Sequence, residues 1–207
     1  GMVSLEDGTL STRRGKVLYL EDVLNRAIEQ VDDILIDREK SQGRKMENRE
    51  ELAKEIGIGA VKFQELFNQR IKDYVFDWDK TLSFDGETGP YVQYTHARIN
   101  SLLKRGDFDP KADIDVGLLS EDEEMSILRH LYGFTDTVVD AHEKYEPYFI
   151  TRYIVDLAQR FNKYYNSHQI IGDNRDQTMA RLYLAYSVKI VLKSGLGLLG
   201  IGAPDQM

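Results

Sequence analysis

The sequence of 207 residues contains no cysteine, so disulfide bonds and thiolate-bound metals are excluded. Long apolar runs are also missing, because no stretch approaches the roughly 18–20 residues that a membrane-spanning helix needs. A chain without cysteine fits a reducing compartment, and we expect a cytoplasmic protein that has no membrane partner.

Basic residues are in deficit, with 27 lysines and arginines against 35 aspartates and glutamates and a net charge of −8. Nucleic-acid binders usually carry a basic excess, so the total charge argues against a simple one. The distribution is uneven, however, since acids cluster at residues 107–115 and 121–124 while basic residues collect at 13–16 and along the later helices. A local basic face on an acidic protein therefore remains open.

Motifs for metal and nucleotide binding are absent or stand in the wrong context. The four histidines, His96, His130, His142 and His168, show no close ligand spacing, and we expect no metal site. Residues 195–200 match G-x-G-x-x-G, but they follow a predicted helix rather than a strand, so we interpret them as an apolar helix end. No hydrolase motif and no acid–base pair supports a small independent enzyme.

The spacing of apolar residues predicts a mainly α-helical protein, with a less regular first 85 residues. Residues 20–35 carry one apolar stripe at helical spacing, and a helix starting at Pro147 carries another at residues 150, 154, 157, 158, 161 and 165. Helices are also predicted at 60–70, 90–105 and 175–193, and residues 73–79 are predicted to be extended.

Caps and glycines predict where several of these helices begin and end. Asn48 with Glu51, and Ser120 with Glu123, have the spacing of capping boxes. The glycines at 57 and 59 are expected to interrupt a short helix that ends at residue 56. Gly195 is expected to end the last helix.

The loop at residues 10–16, Leu-Ser-Thr-Arg-Arg-Gly-Lys, combines hydroxyl groups with two guanidinium groups beside a glycine. Ser11, Thr12, Arg13 and Arg14 suit phosphate oxygens, because arginine pairs with them in bidentate fashion. A solvated surface turn explains the same residues, and the loop by itself does not decide between the two interpretations.

Seven segments, taken together, resemble the arginyl-tRNA synthetase family and cover essentially the whole chain in order. The first is the loop itself with the helix after it, similar to the KMSKS-type loop of that family, although Thr12 stands where the second lysine of the motif would be. The apolar final segment is the most specific. The other six are Ile58–Phe63, Asp77–Gly86, Thr88–Arg98, Leu157–Tyr165, Arg181–Leu184 and Gly195–Met207.

The resemblance implies two domains, the end of a catalytic region at residues 1–88 and a helical anticodon-binding bundle of the DALR type at residues 89–207. It implies the C-terminal part of a ligase that joins arginine to its tRNA using ATP with magnesium, with Ser11, Thr12, Arg13 and Arg14 on the phosphates. The chain would begin where the nucleotide-binding core has just ended. We therefore expect the isolated chain to be inactive in aminoacylation and to bind no cofactor tightly. Its expected partners are arginine tRNA and the missing catalytic core, in a family that is often monomeric.

Structured RNA is bound by aromatic rings that stack on exposed bases and by cations that meet phosphates. On this basis the bundle offers a set of candidate tRNA contacts. Two of them, Tyr94 and Arg98 on the helix after Pro90, are also explained by capping and packing. Each tyrosine taken alone is more readily a core residue than an RNA contact, and the candidates carry more weight as a group than singly. The candidates are Tyr94, Arg98, Arg152, Arg160, Asn162, Lys163, Tyr164, Arg181 and Tyr183. The five at positions 152–164 are expected to face away from the inner stripe of the helix that starts at Pro147. A non-catalytic helical interaction or scaffold module derived from a synthetase is the alternative, and the acidity of the chain favours it.

Overall fold

The computed structural model describes residues 1–5, 19–43, 45–46 and 48–207. The predicted phosphate-binding loop with Ser11, Thr12, Arg13 and Arg14 lies outside the described residues. Within them the protein is mainly helical, which confirms the predicted fold class. The chain divides into two compact units, Gly1–Tyr91 and Val92–Met207.

The first unit is built on two long helices, α1 at Leu20–Gln42 and α2 at Arg49–Phe67. The predicted apolar stripe of α1 is confirmed from Ala27 onward, because Ala27, Val31 and Leu35 are fully buried, but Leu20 at its start is exposed. The helix continues beyond the stripe, and its last described turns carry charged residues. Arg49 at the start of α2 pairs with Asp32 of α1 at 2.7 Å and so joins the two helices.

Two predictions at the start and middle of α2 are wrong. Asn48 has a left-handed backbone (φ 61°) and makes no side-chain cap, so the capping box with Glu51 is absent. Gly57 lies inside the helix and does not interrupt it. A Cβ atom at Gly57 would lie 2.9 Å from the carbonyl carbon of Ala27, so the glycine allows the two helix backbones to approach closely.

A two-stranded parallel sheet completes the first unit, with β1 at Val3–Leu5 and β2 at Tyr74–Phe76. The second strand confirms the predicted extended segment in part. Asp77 already caps the short helix α3 at Trp78–Thr81, since its Oδ1 accepts a hydrogen bond from the backbone N–H of Lys80 at 3.0 Å.

Helix α4, at Gly89–Arg105, begins as predicted beside Pro90. The hydroxyl of Thr88 accepts a hydrogen bond from the backbone N–H of Tyr91 at 3.1 Å, which satisfies one of the free donors of the first turn.

The second unit continues with four helices and a short 3₁₀ turn at Val116–Leu118. Its core includes the inner stripe of the helix at Tyr148–Ser167, where Ile154, Leu157, Ala158 and Phe161 are all fully buried as predicted. The helices are α5 at Asp122–Tyr132, α6 at Phe134–Lys144, α7 at Tyr148–Ser167 and α8 at Arg175–Leu198.

The termini of α5 and α8 differ from the prediction. Glu121, not Ser120, stands at the N-cap of α5, and the Glu124 carboxylate accepts from the backbone N–H groups of both at 2.9 and 3.1 Å. Helix α8 continues through Gly195 to Leu198. A Cβ at Gly195 would collide with the Cγ2 methyl of Ile154, so this glycine serves close packing of α8 on α7 rather than helix termination.

None of the described helices is both long enough and apolar enough to cross a membrane. Among the described residues, no group of histidine and acidic side chains is placed to hold a metal ion.

Candidate nucleic-acid interface

One arginine of α4 is held between two tyrosine rings on the surface of the second unit. The Arg98 guanidinium carbon lies 4.9 Å from the ring centre of Tyr94 and 5.2 Å from that of Tyr165. The same group donates to Asn162 Oδ1 at 2.9 Å and to the Tyr94 hydroxyl at 3.3 Å. These contacts hold the cation in one orientation while its charge remains near solvent.

Two open cavities flank this arrangement, and together they form what we call the α4–α7 groove. One, of about 360 Å³, is lined by Tyr94, Arg98, Tyr165 and Met207 among others. The second, of about 460 Å³, is bounded by residues 168–171. Leu102, Arg105 and Tyr165 line both cavities. The groove is therefore a concave surface on which two arginines and two tyrosines, Arg98, Arg105, Tyr94 and Tyr165, stand among apolar and other polar residues.

No carboxylate in the described part of the chain neutralises the positive charge of the groove. Arg98 donates to an amide and a phenol, and Arg105 donates to the Tyr165 hydroxyl at 3.5 Å. No ion pair among the described residues involves either arginine. Both guanidinium groups thus have charge available for an anionic ligand.

Three other predicted contacts, Arg160 and Lys163 of α7 and Arg181 of α8, lie on a second surface. We call it the acid-paired face, because carboxylates of α5 and α7 pair with these cations. Each of the three is already paired with a carboxylate. The pairs are Arg160 with Asp156 at 3.0 Å, Lys163 with Glu123 at 3.4 Å and Arg181 with Glu124 at 2.9 Å.

Glu124 is the centre of the acid-paired face. Its side chain is fully buried, and its Oε1 accepts from Arg181 Nε and from the Tyr164 hydroxyl, both at 2.9 Å. Its other oxygen accepts the two backbone N–H groups at the start of α5. Every acceptor position of this carboxylate is thereby used, which is the condition for burying a charge.

The expectation that Tyr164 faces away from the buried stripe is wrong, because its side chain is fully buried. Burial, followed by the hydrogen bond to Glu124, raises the pKa of the Tyr164 phenol well above its ordinary value. Arg181 is held in the same network, where its second donor reaches the carbonyl of Gln169 at 2.8 Å. Both residues stabilise the bundle, and Tyr164 has no surface to offer to RNA.

Arg152 and Tyr183 line neither cavity of the groove. Arg152 is exposed near the start of α7, with its guanidinium carbon 5.3 Å from the ring centre of Tyr148. Tyr183 is 37% exposed on α8 and lies in an aromatic cluster with Phe108 and Tyr186.

Three residues of the groove, Arg105, Tyr165 and Met207, were not among the predicted contacts. The first has a local signal, because Tyr94, Arg98 and Arg105 are spaced by four and seven residues and so share one face of α4. Tyr165 was assigned to the inner stripe of α7 and lies at its margin, only partly buried. Met207 has no local signal, since the path of the chain after α8 brings it to the groove.

Two known families match the two parts of the chain. The DALR anticodon-binding domain matches residues 92–207, and the catalytic domain of class I (R) tRNA synthetases matches residues 1–78. The arginine–tRNA ligase of Halothermothrix orenii is 53% identical over 207 residues, and that of Clostridioides difficile is 46% identical. In both cases all of the chain is covered but only 36% of the relative, so the chain spans about a third of the length of these curated relatives.

Solved structures show the same relationship. The arginyl-tRNA synthetase of Thermus thermophilus superposes with a TM-score of 0.88 at 30% identity, covering 100% of the chain and 34% of that protein. The synthetase of Plasmodium falciparum, at 22% identity and a TM-score of 0.77 over 92% of the chain and 34% of that protein, shares the fold.

Proposed function

Because the chain belongs to the arginyl-tRNA synthetase family, with a DALR anticodon-binding domain in residues 92–207, we propose that it binds arginine tRNA through the α4–α7 groove. The observation that carries this proposal is the guanidinium of Arg98 held between the rings of Tyr94 and Tyr165. Aromatic faces accept unstacked bases, and arginines accept both bases and phosphates.

The groove is favoured over the acid-paired face on electrostatic grounds. Binding to phosphates requires cations that release counterions when RNA arrives. Arg98 and Arg105 hydrogen bond to neutral groups, whereas Arg160, Lys163 and Arg181 are paired with carboxylates. The α4–α7 groove therefore gains more from a phosphate than the acid-paired face does.

The parent enzyme joins arginine to its tRNA with ATP, and we propose that Ser11, Thr12, Arg13 and Arg14 contact the ATP phosphates in that reaction. These four residues lie outside the described part of the chain, so the proposal rests on their sequence and on the family. The chain by itself matches 36% of the length of its relatives. We expect it to hold tRNA without aminoacylating it.

A protein-interaction module is the second candidate, and one observation favours it. The chain carries a net charge of −8, and α5 exposes the apolar side chains of Met125, Leu128 and Tyr132. An RNA interface and a protein interface respond differently to salt, since only the first loses affinity steeply as counterions are added.

The test is a binding titration of the chain with an arginine tRNA transcript and with the same transcript carrying replaced anticodon bases. Tighter binding to the unaltered transcript is expected, with an affinity that falls steeply as salt rises. Arg98→Gln should weaken binding by about tenfold, the order of one lost stacking contact. Arg129→Gln on α5 is the matched control, because it removes the same charge from an exposed position outside the groove.

Equal binding of both transcripts would mean that the chain contacts the RNA backbone and does not recognise the anticodon bases. Absence of binding to either transcript would overturn the proposal and favour the protein-interaction module.

A further inference from the structure

The segment after α8 runs back along α4 and is held there by three polar side chains. Gln93 Nε2 donates to the carbonyl of Gly202 at 2.9 Å, and Asn100 Nδ2 donates to that of Asp205 at 2.9 Å. Between them, His96 Nδ1 lies 3.0 Å from the carbonyl of Pro204. Because a carbonyl can only accept, this nitrogen carries the hydrogen.

A lysine of α8 closes the arrangement from the other side. Lys189 Nζ donates to Asn100 Oδ1 at 2.6 Å and pairs with the Asp205 carboxylate at 3.0 Å. The hydrogen bond from Lys189 lowers the pKa of Asp205 below its ordinary value, so the carboxylate stays charged. We call the four side chains of Gln93, His96, Asn100 and Lys189 the tail clamp.

Burying this face of α4 with the polar side chains of the tail clamp costs free energy of desolvation. Gln93 and His96 are fully buried, and Asn100 is nearly so. Gln93 Oε1 and His96 Nε2 are buried without a hydrogen-bond partner among the described residues. Apolar side chains would bury the same surface without that penalty, but they would not select particular carbonyl groups. The three donors thus specify the path of residues 202–205.

That path ends at the α4–α7 groove. Met207, two residues beyond the clamped Asp205, lines the same cavity as Tyr94, Arg98 and Tyr165. On the basis of the proposed function, we propose that the tail clamp positions the Met207 side chain as part of the RNA-binding groove. Its four side chains are positioning residues, which act on RNA through the tail and do not touch it.

Substitutions in the tail clamp and at Met207 should therefore be coupled in their effect on RNA affinity. If Lys189 acts on RNA only by placing Met207, then its loss has no further effect once the Met207 side chain is gone. A residue that merely stabilises the bundle would lower the free energy of unfolding but would show no dependence on Met207. Non-additivity in a double-mutant cycle separates these two cases.

The experiment measures the affinity of the chain for the arginine tRNA transcript in Lys189→Met, Met207→Ala and the double variant. We expect each single change to weaken binding several-fold, and the double variant to bind no more weakly than the weaker single one. Lys111→Met is the matched control, because Lys111 is an exposed lysine of the same unit outside both the tail clamp and the groove. Lys189→Arg, which keeps the charge and the donors, should restore most of the affinity.

Thermal unfolding of every variant, followed by circular dichroism, shows whether the bundle stays folded. Asn100→Leu provides a second clamp variant, so a poorly folded Lys189→Met does not end the test. The inference is overturned if the effects of the clamp and Met207 variants multiply, or if neither variant weakens binding while Arg98→Gln does. In that second case the proposed function stands. If the unaltered chain binds no transcript, the proposed function fails, and this inference fails with it.

Discussion

The α4–α7 groove and the acid-paired face use the same kinds of side chain for opposite purposes. In the groove, Arg98 rests between two tyrosine rings and donates to neutral groups. On the acid-paired face, Arg181 donates to the buried Glu124, which also accepts from Tyr164. An arginine and a tyrosine thus form an accessible surface in one place and a buried polar network in the other.

The nearest carboxylate accounts for this difference. Helix α5 begins with a run of acids, and those acids neutralise the cations that α7 and α8 direct toward it. The side of α4 that faces the groove carries no acid between Tyr94 and Arg105. The charge of a helix face is therefore a property of the helices that meet there, and counting basic residues along one helix does not reveal it.

The largest expected effect is on the acid-paired face. Glu124→Ala should lower the free energy of unfolding by about 3–5 kcal/mol, because it leaves the partly buried Arg181 without its carboxylate. Chemical denaturation of the chain measures this. Glu123→Ala is the control, since its partner Lys163 is 75% exposed and the pair contributes little. Similar small losses in both variants would show that the buried network is not a stabilising centre.

The next effect concerns RNA and contrasts one arginine from each region. Arg105→Gln should weaken tRNA binding several-fold and reduce the slope of log affinity against log salt by about 1, the signature of one lost phosphate contact. Arg160→Gln should leave both quantities nearly unchanged, because Asp156 already neutralises that charge. Titrations at several salt concentrations decide this, and the contrast between the regions is wrong if Arg160→Gln has the larger effect.

Acidification should destabilise the second unit through two histidines, one in the tail clamp and one beside the acid-paired face. Burial lowers the pKa of both His96 and His130 below the ordinary value of 6.5. Near pH 6.5 these histidines therefore bind protons in the unfolded chain while they remain neutral in the folded chain. Stability is fully present above pH 6.5 and is lost as the pH falls from there toward the lower folded pKa values.

Unfolding measured from pH 8 to pH 5 tests this pH dependence. His96→Asn keeps a donor near the Pro204 carbonyl but cannot be protonated, so it should reduce the loss on the acid side. His130→Gln should do the same beside Tyr153. An unchanged pH dependence in both variants would place the acid sensitivity elsewhere.

The smallest expected effect is that of Lys163→Ala. The ion pair of Lys163 with Glu123 is at the surface, and exposed pairs of this kind contribute little to stability. We expect no measurable change in the unfolding midpoint and little change in tRNA affinity. A clear loss of tRNA affinity would mean that RNA reaches the acid-paired face and displaces Glu123.

The outcome of the sequence predictions depended on whether their signal was local. The buried stripe of α7, the later part of the stripe of α1 and the start of α4 beside Thr88 and Pro90 were confirmed, since they depend on residues a few positions apart. The predictions that Gly57 interrupts a helix and that Gly195 ends one were wrong. A glycine that ends a helix and a glycine that lets a neighbouring helix pack closely look alike in sequence. What separates them is the presence of a second helix.

The candidate site shows the same limit. Among the predicted contacts, the structure brings Tyr94, Arg98 and Asn162 together and places Tyr164 in the core. Tyr164 and Tyr165 are neighbours in the chain, and only the second lines the groove. The spacing of apolar residues locates the edge of a buried helical stripe only to within about one residue. The position of the adjacent helices therefore decides which of two neighbouring tyrosines is buried.

The sequence by itself determined the helical class of this protein, the stripes of its main helices and the family to which it belongs. Those properties depend on periodicity and on short ordered segments, which are present in the chain before it folds. Only the tertiary structure decided which cations remain available and how the tail reaches the groove. The contacts responsible join distant positions, such as Arg181 with Glu124 at a separation of 57 residues and Asn100 with Asp205 at 105. The neutralisation of Lys163 and Arg181 and the path of the tail depend on such distances in space, which no local pattern encodes, whereas the pairing of Arg160 with Asp156 four residues earlier is local.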